Sequence, residues 1–205
     1  MSSPISRCRK TSRSGSRPEH ARRGAPVRQG GQVGGQPAVR LLGLDPGLQH
    51  TGWGLVESAG SRLRHLGDGV ISTAAAEPLA ARLCTLHRAL AALLEQWRPD
   101  EAAVEHTYVN KNPGAALKLG QARGVVLLAP ALAGLPVAEY QAMEIKRAVV
   151  GTGHAEKAQV EAMVRRLLPG AVIRRADAAD ALAVAICHAH HRGTRAALAR
   201  GYVPA

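Results

Sequence analysis

The chain has 205 residues, the length of one ordinary domain with some residues to spare. Hydrophobic residues make up 46% but aromatic residues only 2%, and Phe is absent, so the core must consist mainly of Ala, Leu and Val. The formal charge of +12 favours a polyanionic partner. The three cysteines lack paired spacing, and no apolar run approaches the roughly 18–20 residues of a membrane helix. These features exclude a disulfide scaffold, and we expect a soluble cytoplasmic protein with no membrane partner.

Residues 1–38 differ in composition from the rest of the chain, being rich in Ser, Arg, Gly, Pro and Gln. They hold eight Lys or Arg against one Glu, which leaves +5 of the formal charge for the remainder. Such a segment cannot bury enough apolar surface to offset the entropy lost on ordering, so we predict a disordered basic extension. Three interpretations stay open: nonspecific phosphate affinity, an organelle transit peptide, or translation that truly begins near Val39.

From residue 39 onward, short apolar runs are separated by glycine-containing turns, which is typical of strands. Three strands are predicted over residues 39–44, 52–57 and 63–71. The turns between them are too short for helical crossovers, so these strands should pair antiparallel.

Longer segments with helical periodicity follow, beginning with leucines at 79, 83, 86, 90 and 93 in a helix over 78–97. A strand over 102–105 comes next, and the crossover makes it parallel to the first strand. Further helices are predicted over 114–132, 155–168 and 176–191, with a fifth strand over 136–140. The pattern indicates an α/β domain over 39–192, in which a five-stranded mixed sheet carries helices on both faces, followed by a C-terminal tail over 193–205.

Four carboxylates stand where this topology would bring them together. Asp45 ends the first strand and Glu105 ends the fourth, so both should emerge at one edge of the sheet. Asp177 and Asp180 are three residues apart on the last helix, which puts them on one face of its first turn. Hard divalent cations prefer oxygen ligands, and two neighbouring ions need anionic side chains between them. The pattern is therefore typical of a two-metal phosphodiester hydrolysis site.

Each acid also has an ordinary explanation. Asp45 before Pro46 and Gly47 is a common turn former, and acids in a first helical turn complement the helix dipole. Glu105 could simply be solvated at a strand end. From the residues alone these explanations stay open.

Four segments decide the interpretation. They are Leu-Gly-Leu-Asp-Pro-Gly-Leu-Gln-His-Thr-Gly-Trp-Gly at 42–54, Ala-Leu-Lys-Leu-Gly-Gln-Ala-Arg-Gly at 116–124, Ala-Glu-Lys at 155–157 and Ala-Asp-Ala-Ala-Asp-Ala-Leu-Ala at 176–183. In order and spacing they resemble the RuvC family of Holliday-junction resolvases, over residues 39–191. The resemblance implies a ribonuclease-H-like fold, a homodimer, two Mg²⁺ ions per site with Mn²⁺ as a substitute, and paired symmetric nicking of four-way DNA junctions that leaves 5′-phosphate ends. A RuvA and RuvB branch-migration complex is the implied partner.

The same resemblance assigns the site residues. Asp45, Glu105, Asp177 and Asp180 match the family's metal-binding catalytic acids, and Lys146 and Lys157 match basic residues beside them. A lysine near a phosphate neutralises charge and stabilises the transition state.

The loop after Glu105 is polar and contains Tyr108 and Lys111. An aromatic ring there can stack on an unpaired base, while Lys111 and Arg123 could contact phosphates. The family usually has Phe where Tyr108 stands, so the ring is kept and a hydroxyl is added.

Parts of the sequence also resemble two other functional classes and one other kind of site. An actin-like or sugar-kinase-like ATPase also uses an Asp-Pro-Gly hairpin, but it needs a second similar half, and no repeat is present. A non-catalytic junction binder has no use for four acids that repel phosphate. The group Cys187, His188, His190 and His191 resembles a zinc site only superficially, since a second ligand pair with matching spacing is missing.

Overall fold

The computed structural model describes residues 38–106 and 112–199, with side chains through 195. Five strands form one mixed sheet in the order β3-β2-β1-β4-β5. Strands β1, β2 and β3 pair antiparallel, whereas β4 runs parallel to β1 and β5 runs parallel to β4. The strands are β1 (Val39–Asp45), β2 (His50–Ala59), β3 (Arg62–Ser72), β4 (Glu101–His106) and β5 (Val137–Gln141). The predicted strand order and directions are confirmed.

Within the described residues, five helices cover the sheet, one more than the four predicted, and they lie on both of its faces as expected. They are α1 (Leu79–Trp97), α2 (Pro113–Leu132), α3 (Ala142–Val150), α4 (Lys157–Leu167) and α5 (Ala176–Ala199). Helices α1 and α2 pack on one face, and α3, α4 and α5 pack on the other. We call these two layers the leucine face and the α5 face.

Three helix predictions need correction. Helix α3 is not predicted from the sequence. Its buried residues Ile145 and Val149 are spaced i, i+4, and Gly151 ends it in the left-handed conformation. Helix α4 begins at Lys157 and not at 155, because Glu156 is its N-cap and forms a reciprocal capping box with Gln159. Helix α5 runs to Ala199, beyond the predicted end at 191.

Alternation along β1 decides which side chains face which layer. Leu42 and Leu44 are buried among the leucines of α1. Leu41 belongs to the core under α5, and Gly43 contacts α5 directly. Asp45 continues this second series, so it emerges at the end of β1 on the α5 face.

Helix α5 lies unusually close to the sheet because glycines replace side chains beneath it. A Cβ placed on Gly43 would stand 2.1 Å from the carbonyl oxygen of Ala181, and one on Gly52 would stand 2.0 Å from that of Asp177. At Gly54 the nearest contact would be the Leu182 side chain at 2.6 Å. The first half of α5, with both of its acids, therefore rests directly on β1 and β2.

Helix α2 is the least buried of the long helices. Leu117, Leu128 and Leu132 are exposed by 67%, 51% and 70%. By length and composition alone this helix is apolar enough to cross a membrane, although it contains Lys118 and Arg123. No membrane helix is predicted from the sequence, because no uninterrupted apolar run is long enough. Its exposed leucines lie on the outer surface of the leucine face.

Candidate active site

Two acids meet where adjacent parallel strands end. Leu44 is in register with Val104 across β1 and β4, so the next residue on each strand, Asp45 and Glu105, stand side by side. Both line a cavity of about 330 Å³ at this edge of the sheet. The predicted convergence of Asp45 and Glu105 is therefore observed.

Helix α5 brings the other two acids to the same edge, though not equally close. Asp180 lines the cavity with Asp45 and Glu105. Asp177 is not among the residues that line it, and its carboxylate is 3.5 Å from an Arg175 guanidinium nitrogen. It nevertheless acts electrostatically on Asp45, so the four predicted acids share one electrostatic environment.

Burial and neighbouring negative charge raise the pKa of two of these carboxyls, those of Asp45 and Glu105. Burial, followed by the charges of Glu105, Asp180 and Asp177, raises the pKa of Asp45 from 3.8 to about 7, with Lys157 opposing the shift. Burial and then Asp180 raise the pKa of Glu105. Like charges held together in this way favour uptake of either a proton or a cation.

Two lysines complete the lining of the cavity. Lys157 donates a hydrogen bond from Nζ to Asp180 Oδ2 at 2.6 Å, and this bond raises the pKa of Lys157. The Glu156 capping box sets the start of α4 and so directs Lys157 toward the site. Lys146 reaches the cavity from α3, the helix that the sequence reading missed.

The donor set suits a hard divalent cation. Its members are carboxylate oxygens, which Mg²⁺ and Mn²⁺ accept as ligands. Among the described side chains, no three from His, Cys, Asp and Glu already lie close enough together to hold a metal ion. Binding of a cation in the cavity would therefore draw Asp45, Glu105 and Asp180 closer together, and Asp177 on the same helix as Asp180 would be a further ligand.

Of the three predicted DNA contacts, only Arg123 falls within the described residues. Tyr108 and Lys111 fall outside the described residues. Arg123 on α2 forms an ion pair with Glu139 on β5, and only 23% of its side chain is exposed. Its Nε is buried and has no hydrogen-bond partner. Arg123 thus ties α2 to the sheet, on the face opposite the acids.

Sequence reasoning also missed one charged neighbour of the site. Arg175 immediately precedes α5 and pairs with Asp177. The adjacent Arg174 and Arg175 just before the Ala-Asp-Ala-Ala-Asp segment were a visible signal, because a cation two residues before an acid at a helix start can reach it.

Comparisons with known proteins agree with this arrangement. The family model described as crossover junction endodeoxyribonuclease RuvC matches residues 41–188. A relative of that name from Granulibacter bethesdensis is 65% identical over 170 residues, covering 83% of this chain and 96% of the relative. Another, from Gluconacetobacter diazotrophicus, is 64% identical and covers 80% of this chain and 97% of its own length.

Solved structures give the same result at the level of the fold. The structure of Thermus thermophilus RuvC in complex with a Holliday junction substrate superposes with a TM-score of 0.72 and 36% identity, covering 77% of this chain and 96% of that one. The yeast mitochondrial Holliday junction resolvase Ydc2, at 11% identity, shares the fold with a TM-score of 0.56 and covers 80% of this chain and 86% of its own. The sheet is therefore of the ribonuclease-H-like type seen in these resolvases, and the chain belongs to the RuvC family of crossover junction endodeoxyribonucleases.

Proposed function

We propose that this protein is a structure-selective DNA endonuclease that resolves four-way junctions in homologous recombination and DNA repair. The observation that carries the proposal is the convergence of Asp45, Glu105 and Asp180 with two lysines around one cavity. Family membership supplies the substrate class, because the similar Thermus protein was solved with a Holliday junction.

The acids have the role of binding and orienting divalent metal. Asp45, Glu105, Asp177 and Asp180 supply the oxygen donors. Burial, followed by the neighbouring carboxylates, raises the pKa of Asp45, and a bound cation would offset both effects. When bound, two Mg²⁺ ions, or Mn²⁺ in their place, would activate the attacking water and stabilise the departing 3′ oxygen, leaving a 5′ phosphate.

The lysines have the role of holding the scissile phosphate. Lys157 remains protonated, since its bond to Asp180 raises its pKa. Lys146 and Lys157 line the cavity from two different helices, so they can approach a bound phosphate from separate directions. Positive charge placed there in advance stabilises the charge that develops on phosphorus oxygens during displacement.

The active form is a homodimer, and α2 is its contact helix. Leu117, Gly120, Gly124, Leu128 and Leu132 recur every three or four residues and form one exposed stripe. A Cβ on Gly120 or Gly124 would meet nothing within 4 Å, so a second helix backbone can approach closely there. Two equivalent strands of a junction must be cut, and a twofold dimer presents one site to each.

The remaining assignments rest on family resemblance. Tyr108 would stack on an unpaired base, and Lys111 and Arg123 would contact DNA, the last only by leaving Glu139. Residues 1–38 form a basic extension dispensable for cutting, ahead of a nuclease domain over 39–192. The tail over 193–205 starts within α5, which runs to Ala199. The protein works in the cytoplasm with a RuvA–RuvB branch-migration complex.

The decisive experiment is cleavage of a synthetic mobile four-way junction beside a linear duplex of the same sequence. Both substrates are incubated with Mg²⁺ and with EDTA, and the nicks on each strand are resolved. Paired, symmetric nicks on the junction alone, dependent on Mg²⁺ and carrying 5′ phosphates, are expected. Tight junction binding without cutting would instead identify a non-catalytic binder and overturn the proposal.

A further inference from the structure

A second polar cluster lies on α5, two turns beyond its acids. The His188 side chain is only 3% exposed and bridges two other elements. Its Nδ1 is 2.8 Å from the Tyr140 hydroxyl on β5, and its Nε2 is 2.9 Å from Glu101 Oε2 on β4. Arg192, one turn further along α5, donates to the other Glu101 oxygen at 2.7 Å. Three elements are thus joined by directional hydrogen bonds.

The charges of the cluster fix the direction of each bond. Burial opposes ionisation of Glu101, but the bond and charge of Arg192, followed by His188, hold its pKa below the ordinary value. Glu101 is therefore an acceptor, and His188 Nε2 carries the proton. Burial lowers the pKa of His188, so its ring is neutral and Nδ1 accepts from the Tyr140 hydroxyl. The Tyr140 hydroxyl, His188 Nε2 and Arg192 Nε thus each donate to an acceptor within the cluster.

This cluster is not itself suited to metal binding or nucleophilic chemistry. Both nitrogens of His188 are already used. Burial raises the pKa of the neighbouring Cys187 thiol to about 12. His191 stacks on Tyr140 with ring centroids 5.0 Å apart, and it pairs with Glu144 at 3.2 Å. The neighbouring groups that might have bound zinc are thus engaged in packing and pairing.

Each member of the cluster is connected to an acid of the candidate active site by rigid backbone. Glu101 begins the short strand β4, and Glu105 is its penultimate residue. Tyr140 is in register with Glu105 across β4 and β5. His188 and Asp180 lie on the same helix, about 12 Å apart at 1.5 Å per residue. The cluster therefore fixes the height and axial position of α5 relative to the strands that carry the other acids.

Helix α5 needs such a restraint in the turns that follow the site. Its first half carries Asp177 and Asp180, which repel Asp45 electrostatically. Beneath that half lie Gly43 and Gly52, which allow close approach but provide no side chains that interlock with the helix. Directional hydrogen bonds define a position along the helix axis more sharply than smooth apolar contact does.

We propose that Glu101, His188 and Tyr140 are positioning residues that hold α5 where Asp177 and Asp180 can share divalent metal with Asp45 and Glu105. This inference rests on the proposed function. It predicts that removing hydrogen bonds of the cluster weakens metal binding and lowers turnover but leaves the affinity for DNA unchanged.

Tyr140→Phe tests the inference, because it removes one hydroxyl and leaves the ring in place. His188→Gln is the second variant, and His190→Gln is the matched control, since His190 is exposed and bonds the Ala148 carbonyl outside the cluster. Mn²⁺ affinity of the DNA-free full-length protein is measured by calorimetry. Junction affinity in EDTA, the turnover rate at saturating junction, the half-saturating Mg²⁺ concentration and Tm are measured in parallel.

We expect Tyr140→Phe and His188→Gln to weaken Mn²⁺ binding by roughly threefold to tenfold, below the 10–100-fold typical when a direct partner of a metal ligand is lost. Turnover should fall and the Mg²⁺ requirement should rise, with junction affinity in EDTA unchanged and His190→Gln like the wild type. Lower Tm with unchanged Mn²⁺ affinity and turnover would show a merely structural cluster and overturn the inference. A wild-type protein that neither binds Mn²⁺ nor cuts would overturn the proposed function itself.

Discussion

The two faces of the sheet differ in how a helix packs against them. On the leucine face, Leu42, Leu44 and Leu55 interlock with large side chains of α1, including Leu86 and Leu90, all of them completely buried. On the α5 face, Gly43, Gly52 and Gly54 let a helix backbone rest on the strands. The first arrangement supplies stability through apolar burial. The second forgoes part of that burial and gains the close approach that brings four acids together.

The difference teaches where stability and chemistry reside in this fold. On the α5 face, burial and the neighbouring carboxylates raise the pKa of Asp45 to about 7. Ionisation of Asp45 therefore destabilises the metal-free protein. The leucine face carries no comparable charge cluster among its described residues, and its outer surface ends in the apolar stripe of α2. The following variants test this division, from the largest expected effect to the smallest.

Asp45→Asn should abolish junction cleavage, with a loss of at least about 10²–10³-fold, as when a preorganised electrostatic group is removed from a catalytic site. Junction binding should persist, because the substitution removes negative charge that repels phosphate. Single-turnover cleavage and gel-shift titration measure the two properties. Cleavage by the variant at the wild-type rate would show that Asp45 is not a catalytic residue.

Gly43→Ala should destabilise the fold by about 3 kcal/mol or more, at the upper end of overpacking effects. The new Cβ would meet backbone atoms of Ala181 and Ala185 that cannot rotate away. Gly193→Ala is the control, since this exposed position of α5 has nothing within 4 Å of the added Cβ. It should be neutral or stabilising by about 0.5–1 kcal/mol. Urea unfolding in EDTA measures both, and equal effects would refute the close contact.

The sequence predicted the sheet and its catalytic edge well because both depend on short-range signals. Apolar runs and short turns gave the antiparallel strands, and one helical crossover gave the parallel β4. The acids at 45 and 105 followed from strand direction. The motif at 176–183 put Asp177 and Asp180 on one helical face.

Features that depend on tertiary contact were not predictable. Helix α3 has only nine residues and buries a single i, i+4 pair, Ile145 and Val149. So short a pattern does not by itself distinguish a helix from a loop, and packing on α5 stabilises it. The pairing of Arg123 with Glu139, and of His188 with Glu101, joins residues far apart in sequence. Periodicity cannot reveal such partners. From the sequence, the histidines of α5 therefore show only a superficial resemblance to a zinc site.

Leu128→Glu should convert the proposed dimer into a monomer, because it places a charge in the middle of the exposed stripe of α2. Val172→Glu is the control, as Val172 is 71% exposed but lies outside that stripe. Light scattering coupled to gel filtration gives the mass, and a junction assay gives the coupling between the two nicks. We expect the Leu128 variant to nick strands singly. A dimer that survives Leu128→Glu would place the contact on another surface.

The smallest expected effect concerns stability, and its sign depends on pH. In metal-free protein the folded state keeps the Asp45 proton up to a pKa of about 7, whereas the unfolded chain releases it near 3.8. The folded state thus binds more protons between these values, so stability falls as pH rises toward 7 and stays lower above it. Asp45→Asn removes this loss. Without metal its Tm should match wild type near pH 4 and exceed it at pH 8 by at least about 2–4 °C, the shift that 1 kcal/mol produces at this size. Adding Mg²⁺ at pH 8 should raise the Tm of the wild type alone and narrow the gap, whereas a wild type more stable than the variant in EDTA at pH 8 would contradict the charge crowding inferred for the α5 face.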